Sequence, residues 1–109
     1  STRAGTGIGG DDVDFSVVGL LSGKRTDVSG LVLLRGETLM EHVEEGSMLV
    51  LVLVRGSATV SRSRAGGLSG FCMTPRCMEP VWLTSPGTYT LVARDYTLGF
   101  RVLRRRGDT

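Results

Sequence analysis

The 109-residue sequence contains no asparagine and no glutamine, and it holds a single lysine (Lys24), a single histidine (His42) and a single isoleucine (Ile8). A basic complement made almost wholly of arginine has the mark of GC-rich coding, so the number of arginines says little about anionic partners. One histidine restricts the chemistry. A Ser-His-Asp or Cys-His arrangement would have to run through His42, and nothing nominates its nucleophile. The acidic pairs Asp11-Asp12 and Glu44-Glu45 are poor acid–base partners, because neighbours in an extended chain face apart. No phosphate loop with a lysine is present. The two cysteines, Cys72 and Cys77, are five apart and would point to opposite faces of a strand. They are expected to be reduced packing thiols, which suits an intracellular compartment. No apolar run exceeds seven residues, far short of the ~18–20 a membrane-spanning helix needs. No signal peptide is visible, and the missing initiator methionine leads us to expect an excised domain or processed product. The net charge of +2 argues against a dedicated nucleic-acid binder.

What the sequence does have is Met48–Val54, MLVLVLV, bounded by Glu44-Glu45-Gly46 and by Arg55-Gly56. Alternating valines and leucines favour a strand. A strand with one wet face alternates apolar and polar residues; this one does not, so both faces are expected to be covered. Leu49, Leu51 and Leu53 share one face, and Met48, Val50, Val52 and Val54 the other. Further strands are expected at Val13–Leu21, Val28–Leu34, Thr38–Val43, Ala58–Ser63, Gly70–Thr74, Val81–Leu83, Thr88–Arg94 and Thr97–Leu103, punctuated by glycine and proline turns. Gly56-Ser57 reads as a two-residue hairpin turn. No stretch of helical length has a 3.6 period. The expected fold is all-β, a jelly-roll barrel or sandwich with little or no helix. It would occupy residues 13–103, between a disordered lead (1–12) and a polar tail (104–109). The lead contains Gly5-Thr6-Gly7-Ile8-Gly9-Gly10, a G-x-G-x-x-G pattern without the strand and helix that a dinucleotide site requires.

From Gly36 the chain reads G-ETLME-H-V-E-EGSM-L-VLVLVR-G. This resembles the first cupin motif, G-x5-H-x-H-x3,4-E-x6-G, with Gly36, His42 and Gly56 in place, Glu44 at the second histidine and Leu49 at the glutamate. The second motif aligns loosely through Gly87, with Thr90 at its histidine. The resemblance implies a cupin barrel over roughly residues 28–103. Its ligand set would be His42, Glu44, Leu49 and Thr90, in which Leu49 cannot bind a metal. No cofactor or metal is therefore expected.

Some cupins use the barrel for pairing. The carboxy-terminal domains of the centromere protein C family, a kinetochore scaffold, are such a group. Leu31–Leu34 with Gly36, Glu41-His42-Val43 with LVLVLVRGSATV, and Val81-Trp82-Leu83 with Pro86–Leu91 resemble that family; Arg94 departs from its common asparagine. The resemblance implies a non-enzymatic homodimerisation module of a nuclear, kinetochore- or centromere-associated scaffold. Partners would be a second copy and other kinetochore or chromatin proteins. The expected dimer interface comprises Met48, Val50, Val52 and Val54, with Tyr89 and Leu91 added from the outward face of their strand. Two alternatives belong to other classes. One is a metal-dependent cupin enzyme or small-ligand binder using the barrel lumen. The other is nucleic-acid contact through Arg62, Arg64, Arg104, Arg105 and Arg106, although the aromatics are scattered and form no stacking row.

Overall fold

The computed structural model describes residues 27–63 and 69–105. Expectations for residues 1–26, 64–68 and 106–109, including the strand Val13–Leu21, lie outside the described residues. The described chain forms eight strands: β1 (Val28–Leu33), β2 (Thr38–Val43), β3 (Ser47–Arg55), β4 (Ala58–Ser63), β5 (Ser69–Met73), β6 (Val81–Leu83), β7 (Gly87–Ala93) and β8 (Thr97–Arg105). None of the described residues is helical. Two antiparallel four-stranded sheets pack face to face, in the orders β1-β8-β3-β6 and β2-β7-β4-β5. This is the expected all-β jelly-roll sandwich.

Apart from β4 and β5, consecutive strands belong to opposite sheets. The Gly56-Ser57 turn is therefore a crossover and not the expected hairpin: β3 pairs with β8 and β6, and β4 with β7 and β5. A bulge between Leu53 and Arg55 bends β3 out of its ladder just before the crossing. Gly56 has φ +100, and a Cβ there would lie 2.3 Å from the Tyr96 carbonyl oxygen. The turn between β7 and β8 lies against this crossover. Thr97, wholly buried, joins the two: its Oγ1 accepts from the Ser57 amide at 3.2 Å, and its hydroxyl faces the carbonyls of Ser57 (3.0 Å) and Asp95 (2.9 Å). The Arg94 amide adds a bond to the Ser57 carbonyl.

The main core lies between the sheets. Leu31 and Leu33 of β1, Leu49, Leu51 and Leu53 of β3, and Leu83 of β6 meet Val43, Ala58, Val60, Tyr89, Leu91 and Ala93 of the other sheet. Fully burying a leucine-sized side chain contributes about 1.5–3 kcal/mol, so this layer is the principal source of stability. The expected packing cysteines are not part of it. Cys72 and Cys77 are free and exposed, and Cys77 sits in the irregular stretch before β6 with its thiol 3.4 Å from the Gly56 carbonyl.

Candidate functional site

The residues singled out for pairing fall on two different layers. Met48, Val50 and Val52 point away from sheet β2-β7-β4-β5, as their period of two requires once Leu49, Leu51 and Leu53 face it. With Val102 they form a second apolar cluster on the outer face of sheet β1-β8-β3-β6, flanked by Val28 and Trp82. That face is closed within one chain: Val50, Val52 and Val102 are each 0% exposed and Met48 is 6%. These residues are not an open patch, which corrects the expectation that a partner must cover them. Val54, at the bulged end, is only half-buried.

Tyr89 and Leu91 are also corrected. They are 2% and 1% exposed and face the inter-sheet core. The expectation extended the outward face of β3 onto β7, but β7 belongs to the opposite sheet. There the hydroxyl-bearing Thr88 and Thr90, with Val92, take the outer side.

The outer face of sheet β1-β8-β3-β6 stays open at its far end. Val32 and Leu34 are 62% and 56% exposed, and Tyr96 is 44%. Val32 is directly opposite Leu98 on β8, and Leu98 pairs with Arg55 beside the β3 bulge. Val32, Leu34, Tyr96, Leu98 and Val54 thus continue the apolar surface beyond the closed cluster.

Inside the sandwich the polar groups are spent on one another. Glu41 on β2 lies on the same face as Leu39 and Val43, and Arg101 on β8 lies on the side opposite Val102. They meet across the gap between sheets, Arg101 Nε donating to Glu41 Oε2 at 2.8 Å, with both side chains mostly buried. Arg101 Nη1 also donates to the Gly30 carbonyl at 3.2 Å. No buried side-chain nitrogen or oxygen among the described residues lacks a partner.

No family model and no curated protein matches the chain. Solved structures do. The Drosophila melanogaster CENP-C cupin domain superposes with a TM-score of 0.54 at 10% identity, covering 74% of this chain and 62% of that one. A structure of Drosophila melanogaster CENP-C bound to CAL1 gives 0.57 at 10% identity over 74% and 63%. The fold is a cupin fold. Oxalate decarboxylase from Bacillus subtilis also matches, with a TM-score of 0.56 at 15% identity over 75% of this chain and 22% of that one. The chain spans about three fifths of the CENP-C domains it matches. The likeness extends to both a CENP-C domain and an enzyme, so the cupin fold alone does not choose between those functions.

The cupin ligand positions read from the motif do not converge. Val43 is wholly buried and Leu39 packs on the core, which turns the intervening parity of β2 outward. His42 is therefore exposed on the outer face, its Nδ1 3.2 Å from Thr88 Oγ1. Thr90 faces outward on β7, Glu44 lies exposed in the turn after β2, and Leu49 is in the core. The spacing counted residues correctly but took the wrong side of the strand: Glu41, which the motif reading passed over, is the residue that faces in. Its signal was its shared parity with Leu39 and Val43. Among the described residues no three acidic, histidine or cysteine side chains come together as a metal site.

His42, Glu44, Glu45, Arg62, Pro86 and Gly87 border an open hollow of about 510 Å³. Arg62 is committed there, Nη1 donating to the Pro86 carbonyl at 2.8 Å. The arginines named for nucleic acid do not share one surface element. Arg62 is on β4 of one sheet and Arg104 and Arg105 are on β8 of the other, while Arg64 and Arg106 lie outside the described residues.

Among the described residues, Tyr89 is the one group whose proton affinity is visibly displaced. Burial pushes its phenol above the ordinary tyrosine value, while the charge of Arg62 and the 2.7 Å bond to the Ser85 carbonyl pull the other way. A raised folded-state pKa means the folded chain holds this proton more tightly than the unfolded one. Its contribution is then complete below the ordinary tyrosine pKa of ~10 and is lost as pH rises through the folded value. Tyr89→Phe is expected to cost about 1 kcal/mol at neutral pH through the lost hydrogen bond. It should also flatten the fall in stability above pH ~10, read by urea melts across that range.

Proposed function

We propose that this cupin-fold domain is a non-enzymatic assembly module, pairing with a second copy within a chromosome- or kinetochore-associated scaffold in the nucleus. The observation that carries the reading is the content of the lumen. Among the described residues its inward positions are filled mainly by leucine, valine, alanine and tyrosine, and the charged pair Glu41 and Arg101 is satisfied internally. Such a filling holds two sheets together, and among the described residues it leaves no buried side-chain nitrogen or oxygen unpartnered for a substrate to engage. The fold likeness to a CENP-C cupin domain, and to CENP-C captured with the protein CAL1, supports assembly as the use of the outer surface.

The closed cluster at Val50 and Val52 leaves the open continuation of the same sheet as the pairing surface: Val32, Leu34, Tyr96, Leu98 and Val54. An isologous contact would set this patch against its own copy about a two-fold axis. Sedimentation velocity tests the proposal. The chain is expected to sediment as a dimer at tens of micromolar, and Val32→Arg with Leu34→Arg to convert it to a folded monomer. A monomeric parent chain would refute homodimerisation. Stoichiometric iron, manganese or zinc in protein purified without chelators would favour a metal-dependent cupin instead.

A further inference from the structure

Four connections lie at the crossover end of the sandwich: residues 34–37, 56–57, 74–80 and 94–96. The antiparallel registers bring them together. The ends of β1 and β3 meet the start of β8, and the end of β7 meets the starts of β2 and β4. Each connection carries or adjoins one arginine, Arg35, Arg55, Arg76 or Arg94, and all four are exposed. Short contacts draw them into one neighbourhood. The amide of Gly36, beside Arg35, donates at 2.8 Å to the carbonyl of Ala93, beside Arg94. The Arg94 amide donates at 2.8 Å to the Ser57 carbonyl, two residues from Arg55. The thiol of Cys77, beside Arg76, lies 3.4 Å from the carbonyl of Gly56, beside Arg55. No ion pair engages any of the four among the described residues. Two of the acids at this end are turned onto their own backbone. Glu37 Oε1 accepts from the Leu34 amide and Asp95 Oδ1 from the Tyr96 amide, both at 2.8 Å. The third acid, Glu79, is exposed. Coding bias sets how many arginines the chain has, but the fold sets where they gather. The described connections at the opposite end, residues 44–46 and 84–86, hold none.

Met78 is an independent mark of the same place. It is 47% exposed and has φ +67, the one residue other than glycine with positive φ among the described residues. It is third in the turn that the Glu79 amide closes on the Arg76 carbonyl at 3.3 Å, a position where glycine is usual. Its own amide is tied to the Leu53 carbonyl at 2.7 Å. The fold gains little by holding a large apolar side chain there with nearly half its surface in water. Backbone outliers of this kind cluster where ligands are clamped.

We infer that this end docks an acidic segment of a partner protein, with its carboxylates held by Arg35, Arg55, Arg76 and Arg94 and an apolar side chain set on Met78. A guanidinium matches a carboxylate at two points, and arginine and methionine are both enriched at protein interfaces. A nucleic acid fits less well. Glu37, Glu79 and Asp95 stand among the arginines and would oppose an evenly charged phosphate backbone, and Tyr96 is the one aromatic in these connections to stack on a base. The inference adds a partner to the assembly reading without depending on pairing, since it makes no use of Val32, Leu34, Tyr96, Leu98 or Val54.

Fluorescence anisotropy of the full chain with labelled peptides tests it. The probe is a peptide of about 12 residues with glutamates and leucines set among serine and glycine. Comparison probes carry glutamine for glutamate, or are a single-stranded oligonucleotide of similar length. The glutamate peptide is expected to bind at least ~10-fold more tightly than the glutamine peptide, and less tightly as salt rises. Arg35→Ala with Arg94→Ala, and Arg55→Ala with Arg76→Ala, are each expected to weaken it by about 5-fold. Arg105→Ala, at the opposite end, should leave it unchanged. Met78→Gly relieves the backbone, so it is expected to hold or raise the melting temperature while weakening the peptide by about 3-fold. A methionine with a purely structural role would not separate the two readouts. Circular dichroism checks that every variant is folded. Equal binding of the glutamine peptide would overturn the inference. So would affinity untouched by the arginine pairs or by Met78→Gly, an equal loss from Arg105→Ala, or tighter binding of the oligonucleotide than of the peptide. Sedimentation reads pairing separately. A monomer that binds the peptide ends the pairing proposal alone, and a dimer that ignores it ends this inference alone.

Discussion

Gly56→Ala is expected to lower the melting temperature by more than ~12 °C, with a loss of about 3–4 kcal/mol, whereas Gly36→Ala should cost about 1 kcal/mol. Both glycines have positive φ, +100 at Gly56 and +87 at Gly36. The conformational penalty of a side chain in that region, roughly 1–2 kcal/mol, is therefore common to both. The difference is what a methyl group would meet. At Gly36 nothing lies within 4 Å. At Gly56 the new carbon would fall 2.3 Å from the Tyr96 carbonyl oxygen, 2.6 Å from Thr97 Cα and 2.6 Å from Thr97 Oγ1. Two of these are backbone atoms, and the third is the hydroxyl that ties the β3–β4 crossover to the β7–β8 turn. Relief would have to separate the two crossings, which adds an overpacking cost of about 1–3 kcal/mol. Thermal melts followed by far-ultraviolet circular dichroism measure both variants; equal losses would mean that the crossover is not held at this point.

The same crossover shows what the sequence does and does not disclose. Gly56-Ser57 between two strand patterns carries the signature of a hairpin, and local chemistry cannot tell a hairpin from a turn that carries the chain to the opposite sheet. That choice is made by pairing at long range, here by β8 lying beside β3 and β7 beside β4. Strand positions are written locally and were legible: Thr38–Val43, Ala58–Ser63 and Val81–Leu83 match their expected bounds. The unbroken apolar run of β3 likewise announced two covered faces, and its leucines and valines do enter two separate clusters. A period of two groups residues by face without saying which face is inward or what lies over it. On β2 the parity of Leu39, Glu41 and Val43 outweighs the motif spacing at His42. On β7 the apolar Tyr89, Leu91 and Ala93 turn inward and leave Thr88 and Thr90 to water. The fold was therefore legible, while the surface it presents was not, because that depends on which sheet each strand joins.

Glu41 and Arg101 offer the sharpest test of what the lumen is for. Glu41→Leu or Arg101→Met alone is expected to cost about 1–3 kcal/mol, below the 3–5 of a fully buried pair because both groups retain some solvent contact. The side-chain exposures are 18% for Glu41 and 26% for Arg101. Either single change strands the opposite charge between the sheets, and loss of Arg101 also removes the bond to the Gly30 carbonyl. Changing both together replaces a satisfied ion pair with apolar volume next to Leu39 and Leu51, and the double variant should recover to within about 1 kcal/mol of the parent. Urea denaturation of the four proteins gives the coupling between the two sites directly. In a barrel that serves only to hold a surface in shape, the double variant keeps its sedimentation behaviour and its partners. A double variant that is stable but has lost binding would mean that the interior carboxylate and guanidinium contact something other than each other. The lumen, and not the outer sheet, would then be the working part of this cupin-fold domain.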